Sequence, residues 1–244
     1  MNNIRNLFRI SLLSFLVGCC TGGIIQETTS SPSTAAQKNK SNVLEVEKLR
    51  QTTVAIVTNT LGLHIPSCSG VWVDADVVLT AAHCADDPDV PFVLISTLDD
   101  YAHDKVRPAT ILASDPEVDL ALLTVDTTGL PPHPIARLST QTPFPGNEVN
   151  IIGHTVGLDW TYSHGYVAAI REDLSGPGDK LFKKALQISA PVWMGNSGGG
   201  AFDENGGLIG ISSWVSKNGP HLAFFVHVDL IELFMVKQLA ARSK

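Results

Sequence analysis

Three short stretches carry side chains that could pass one proton between them. "LTAAHCA" sets His83 at the end of an apolar run, "EVDLALLTV" sets Asp119 at the start of another, and "GNSGGG" surrounds Ser197 with glycine and asparagine. A serine hydroxyl alone is a weak nucleophile at neutral pH. An imidazole titrates near neutrality, so it can take the serine proton and return it to a leaving group. A buried carboxylate fixes the imidazole tautomer and stabilises the imidazolium. Together the three residues could perform acyl transfer through a covalent intermediate. Asp115 is the rival acid. It precedes Pro116 and has no apolar run behind it, so Asp119 is preferred. The other histidines, His64, His103, His133, His154, His164, His221 and His227, have no motif around them and read as surface or loop residues. None has metal-ligand spacing, and neither a metal site nor a cofactor is expected.

The elements that must hold these residues are short. "TVAIVTN", "GVWVD", "DVVLTAA", "PFVLIST", "ATILAS" and "LALLTV" fill the first half; "EVNIIG", "GYVAAI", "ALQISA", "GLIGISSWV" and "AFFVHV" fill the second. They are β-branched and bounded by Gly, Pro, Asp or Asn, which is the signal of many strands. Helical periodicity is confined to the end, where Leu230, Leu233, Phe234 and Lys237 fall at i, i+3, i+4 and i+7. The chain reads as mostly antiparallel β with a terminal helix. A Pro-rich stretch, 129–146, separates a first β unit (about 50–128) from a second (about 147–230). A short amphipathic turn, "VLEVEKLRQ", leads into the folded body, 43–240.

The 244 residues are 44% apolar, enough for a sizeable core, and the formal charge of −7 comes without a basic patch, which argues against nucleic acid as a partner. The first residues differ. Arg5 and Arg9 precede an apolar run, Ile10–Val17, too short to span a bilayer. A basic start, a short apolar core and small residues describe an export signal over 1–18. Residues 19–42 are rich in Ser, Thr, Gln and Asn and read as a flexible tether. Beyond Cys19 and Cys20, the chain holds Cys68 and Cys84. An even pair in an exported chain points to a disulfide, with two buried free thiols as the alternative. A bridge closing a loop of this size stabilises by about 3 kcal/mol in the loop-entropy picture.

"TAAHC", "DLALL" and "GNSGGG", in the order His, Asp, Ser, resemble the trypsin-like, chymotrypsin-fold serine endopeptidases over roughly residues 50–235. The resemblance implies two six-stranded β-barrels side by side with the site in the cleft between them. His83 and Asp119 would come from the first barrel and Ser197 from the second. It implies a polypeptide substrate, a nucleophile at Ser197, a general acid/base at His83 and its orienter at Asp119. It makes the N–H groups of Gly195 and Ser197 the oxyanion donors. "ISSWVS" resembles the family segment that pairs with substrate backbone: the Ser213 carbonyl would accept the P1 N–H, Val215 would pair at P3, and Trp214 would face substrate. The P1 pocket would be lined near Pro191, Val215 and Ala223; none is charged, which implies a small to medium apolar P1 residue. Asn196 stands where the digestive branch has aspartate, and no activation-cleavage motif lies near residue 50. The chain is therefore more similar to bacterial branches such as the glutamyl endopeptidase-like and HtrA-like proteases, without room for the PDZ domain of the latter. Gly200 departs from the proline common there. Leu16-Val17-Gly18-Cys19 resembles a lipoprotein lipobox, implying lipid on Cys19 and a membrane anchor. A protease fold that has lost turnover and serves binding or assembly is the alternative.

Overall fold

A computed structural model of the chain describes residues 43, 45–60, 63–86, 94–97, 106–177, 180–216, 219 and 221–242. The expected export signal and tether, with Cys19, lie outside the described residues. Twelve strands dominate. They are β1 (Thr53–Thr60), β2 (Leu63–Asp74), β3 (Val77–Thr80), β4 (Leu94–Ser96), β5 (Arg107–Asp115) and β6 (Leu120–Val125), then β7 (Glu148–Gly153), β8 (Thr161–Ser175), β9 (Leu181–Ser189), β10 (Gly200–Phe202), β11 (Leu208–Val215) and β12 (Ala223–His227). The first six pair in the order β1-β2-β3-β6-β5-β4 and the last six in the order β10-β11-β12-β9-β8-β7; in each set the ends pair, so each sheet closes. The pairs are antiparallel throughout.

The side-chain period of two explains how the sheets meet. Along β6, Leu120 and Leu122 point into a core shared by both sheets, while Ala121, Leu123 and Val125 point into the interior of the first. Ile152, Phe202, Leu208 and Ile211 complete the shared core from the second sheet, whose own interior holds Val149, Ile151, Ile188, Ala201 and Phe225. "LALLTV" is continuously apolar because both of its faces are buried.

A helix over 45–52 adds Leu49 to the shared core, and the terminal helix, Val228–Arg242, adds Ile231 and Phe234. The expected stripe on the terminal helix is turned. Leu233 is exposed, whereas Ile231 and Phe234 are buried with Met235 and Leu239 packed beside them. The face is chosen by the strands already below it: the helix begins directly at the end of β12, so Val228 is the first side chain to meet the core. Cys68 and Cys84 are joined by a disulfide.

Candidate active site

His83 sits on a short helix, Ala82–Ala85, that interrupts the chain after β3. Ala82, Cys84 and Ala85 are buried and His83 alone is exposed, so the helix fastens to the sheet by its neighbours and turns the imidazole outward. Asp119 lies just before β6 and is buried. Its φ of +63° is left-handed, a conformation that aspartate tolerates better than most residues and that marks strain at functional sites. His83 Nδ1 lies 3.0 Å from both Asp119 carboxylate oxygens. The His83 backbone N–H donates to Oδ1 at 3.1 Å, so side chain and backbone of one residue grip the same acid. The Ser213 hydroxyl donates to Oδ2, and Lys180 Nζ lies 3.6 Å from Oδ1. Burial alone would raise the Asp119 carboxyl. The hydrogen bond and charge of His83, the bond from Ser213 and the charge of Lys180 outweigh burial, holding the carboxyl below its ordinary value.

The serine loop is pinned from both sheets. The Ser69 N–H, from β2, donates to the Ser197 carbonyl at 2.8 Å, and the Ser69 hydroxyl donates to the Gly195 carbonyl at 2.8 Å. From the second sheet, Gly198 N–H donates to Ser212 O and Ser212 N–H to Gly199 O, both at 2.8 Å. Cys84 Sγ lies 3.6 Å from the Ser197 carbonyl oxygen, which sets the serine turn against the residue following His83. Gly195 has φ +94°, and a Cβ there would fall 2.1 Å from the His154 carbonyl oxygen. Only glycine fits this bend. Val156 N–H donates to the Met194 carbonyl at 2.8 Å. In a trans peptide the N–H points opposite the carbonyl, so this bond turns the Gly195 N–H away from the anchor. Among the described residues, the N–H groups of Gly195 and Ser197 meet no protein acceptor. Two such free donors on a fixed loop can receive an oxyanion. The loop is therefore not a flexible linker.

Asn196 is buried and donates through Nδ2 to Thr155 Oγ1 at 2.7 Å. Its partner turn is strained, since Val156 has φ +54°, costly for a β-branched residue. His154 beside it, read as a surface or loop residue, lies in the loop after β7 but is fully buried against Trp160, and its Nδ1 lies 3.1 Å from Ser69 Oγ. Burial pushes this imidazole down to about 3, so it is neutral near pH 7. His227 is likewise buried rather than exposed. Nothing in the sequence around either residue distinguishes a core histidine from a loop one.

Beside the serine loop, Pro191, Val192, Trp193, Val215, Gly219 and Leu222 line a pocket of about 300 Å³, with Thr161, Ser163 and His221. Pro191 and Val215 stand where the pocket was expected. Ala223 does not. It pairs with Ile188 and Val215 and points into the second sheet's interior; Leu222, one residue earlier and across the pleat, lines the pocket instead. Trp214 is stacked on Phe224 at 4.5 Å and lies 4.1 Å from Phe182, both rings of its own chain. A strand irregularity between Ser212 and Trp214 separates the two residues' outlooks. It lets Ser213 reach Asp119 while Trp214 joins the aromatic column. Sequence reasoning missed the Ser213 hydroxyl and Lys180 as partners of Asp119. Gly200 begins β10, and a Cβ there would fall 2.6 Å from the Phe202 ring. Among the described residues, Cys68, His83 and Cys84 gather three potential metal donors, but the two sulfurs are bonded to each other.

Residues 68–211 match the family described as the trypsin-like peptidase domain. A probable periplasmic serine endoprotease, DegP-like, from Marinomonas sp. is 30% identical over 170 residues, 68% of this chain and 34% of that protein. The serine protease PepD of Mycobacterium tuberculosis is 26% identical over 212 residues, 83% of this chain and 45% of that one. A structure of the Rv3671c protease in its inactive form superposes with a TM-score of 0.66 at 26% identity, covering 86% of this chain and 98% of that one. A serine endoprotease from Yersinia pestis, 23% identical, shares the fold with a TM-score of 0.65, over 86% of this chain and 68% of that one. The architecture is thus an all-β, chymotrypsin-like fold with a terminal helix. The chain belongs to the trypsin-like peptidase domain family. It spans between a third and a half of the length of these two curated relatives.

Proposed function

We propose that the chain is a serine-type endopeptidase that cleaves polypeptides through an acyl-enzyme, with Ser197 as nucleophile, His83 as general acid/base and Asp119 as its orienter. The Gly195 and Ser197 N–H groups stabilise the oxyanion. The observation that carries this reading is the double grip of His83 on Asp119, at 3.0 Å through Nδ1 and 3.1 Å through the backbone. That grip fixes the imidazole with Nε2 free for the serine side. Two six-stranded barrels frame the cleft. The Ser213 carbonyl and Val215 pair with substrate backbone; Trp214, packed between rings, walls the groove by its edge. The P1 side chain enters the pocket of Pro191, Val192, Val215 and Leu222, whose apolar lining favours small to medium apolar residues.

The relatives include a probable periplasmic serine endoprotease, and this supports export of the present chain. Residues 1–18 are its signal, lipid on Cys19 holds it at a membrane, 19–42 is the tether and 43–240 the catalytic domain. The buried Asn196–Thr155 bond organises the serine loop without a new N-terminus, so no activation cleavage near residues 45–55 is needed. The test is labelling by a fluorophosphonate probe, abolished in Ser197→Ala, followed by a peptide-library cleavage profile. A folded wild type that takes no label would leave a binding or assembly protein. Cleavage chiefly after Arg, Lys or Glu would overturn the pocket assignment.

A further inference from the structure

Among the described residues, Lys180 is the one strong charge that reaches the His83–Asp119 pair from the second sheet. It sits at the base of the turn joining β8 to β9, where its carbonyl accepts the Gly176 N–H at 2.7 Å. From there its ammonium reaches across the cleft to within 3.6 Å of Asp119 Oδ1. The side chain is 26% exposed, unusually enclosed for lysine. Its position is built rather than incidental. The ammonium lies 5.0 Å from the centre of the Phe182 ring, Phe182 packs on Trp214, and Trp214 stacks on Phe224. A cation over an aromatic face is held there electrostatically, so a column of three rings aims the lysine at the acid.

The groups that face Asp119 are His83 from the short helix, the Ser213 hydroxyl from β11 and Lys180 from the β8–β9 turn. Among the described residues, those that face Lys180 are Asp119 and the Phe182 ring. Orienting the imidazole needs His83 and Ser213 only. A third, positively charged partner does something different. Asp119 stabilises positive charge on the imidazole, and a fixed ammonium on the same carboxylate oxygen opposes it.

We propose that Lys180 is a positioning residue that acts through Asp119: by sharing the carboxylate with His83 it holds the acid limb of the pH–activity profile lower than the three-residue site alone would. The inference rests on the reading of His83 as general base and Ser197 as nucleophile. The direction follows from charge. Removing the ammonium leaves the full carboxylate facing the ring, which favours the positively charged form of the pair's histidine, and the acid limb of activity rises.

The experiment compares kcat/KM against pH for wild type, Lys180→Met, Lys180→Gln and Lys180→Arg, each with its melting temperature. Met and Gln are expected to move the acid limb upward by about half to one pH unit, discounted for the partial exposure of the lysine; Arg should leave it near the wild-type position. High salt, which screens a partly exposed charge, should move the wild-type limb in the same direction and the Met variant's limb less. This arm needs no variant to fold except as a comparison. A lysine that only supports the turn would lower the melting temperature and leave the limb in place. A limb in Met and Gln within about 0.2 unit of wild type, or one displaced equally in Arg, overturns the inference. Fluorophosphonate labelling of the wild type separates the two levels: label with an unmoved limb removes the role of Lys180 alone, whereas no label removes the catalytic reading beneath it.

Discussion

Replacing Gly195 by alanine tests the oxyanion assignment where the geometry is least forgiving. The added Cβ would lie 2.1 Å from His154 O, 3.0 Å from His154 C and 3.2 Å from Val156 N, all backbone atoms that no rotamer change can remove. Reaching ordinary contact distance requires the two segments to part by about 1 Å. The φ of +94° adds a conformational cost, of about 1–2 kcal/mol for a residue with a Cβ. The chain can relieve both by rotating the Met194–Gly195 peptide out of its bond with Val156, and that rotation turns the Gly195 N–H off its target. Loss of one oxyanion donor costs about 2.7–4 kcal/mol of transition-state stabilisation, or about 10²–10³ in kcat. The expected result is a kcat lowered by about that factor with KM within a few-fold of wild type, because the pocket is lined by other residues. Fluorophosphonate labelling should slow in parallel, since phosphonylation also builds charge on the oxygen. Steady-state kinetics on a chromogenic peptide, with a melting curve to show that the variant is folded, decide it. A folded variant that keeps kcat within about threefold of wild type would refute the argument, because the loop would then be loose enough to absorb the methyl group.

Two further outcomes follow from the same neighbourhood. Val156→Gly should raise the urea midpoint: relief of a left-handed β-branched residue returns about 1–2 kcal/mol, offset by about 0.5–1 kcal/mol of added chain entropy. The side chain is 64% exposed, so little packing is lost; a clear drop in midpoint would refute the strain. Stability should also fall below neutrality. His154 is held down to about 3 by burial, and burial lowers His227 as well despite the opposing charge of Asp229. Between that range and about 6.5 the unfolded chain binds protons that the folded one does not. The contribution of neutral His154 is therefore complete above about 6.5 and is lost as pH falls, by up to about 1.4 kcal/mol per pH unit for each such histidine. Urea midpoints at pH 7 and pH 5 should differ by about 2 kcal/mol in stability from His154, and His154→Gln should flatten the slope; equal wild-type midpoints would refute it. Asp119, held below its ordinary value, loses its own contribution only at still lower pH, as it protonates.

How far the sequence reached depends on what kind of interaction fixes each residue. The eleven apolar runs correspond to strands because alternation and β-branching are local. β10 was missed because "GAF" has three residues, no β-branched member, and owes its pairing to Gly210 on the next strand and Ile151 on distant β7. The motif residues could be named from sequence because the chemistry proposed for them demands particular types in a particular order. Ser213 and Lys180 could not, because a serine or lysine becomes a partner of Asp119 only through contacts between residues 94 and 61 positions apart. The burial of His154 was illegible for the same reason, since it is decided by Trp160 and Ser69 rather than by its neighbours in sequence. Ala223 failed by a single residue, the amount that moves a strand side chain to the opposite face.

The position of the disulfide follows from these contacts. Ser69 is the residue of the first sheet that holds the serine loop of the second, through its N–H to Ser197 and its hydroxyl to Gly195. Thr80 fixes Ser69 in turn, by a 2.8 Å bond to its carbonyl. Cys68 immediately precedes Ser69 and Cys84 immediately follows His83. The bridge therefore joins the residue before the serine loop's anchor to the residue after the proposed base, with their Cα atoms 6.1 Å apart. The helix bearing His83 has only four residues and no side-chain N-cap, too short to hold itself by its own hydrogen bonds. A covalent tie beside it limits drift of the imidazole relative to the serine loop. Proton transfer in this arrangement depends on distances set within tenths of an ångström across two separate sheets, and the bridge lies where that registration is most exposed to drift.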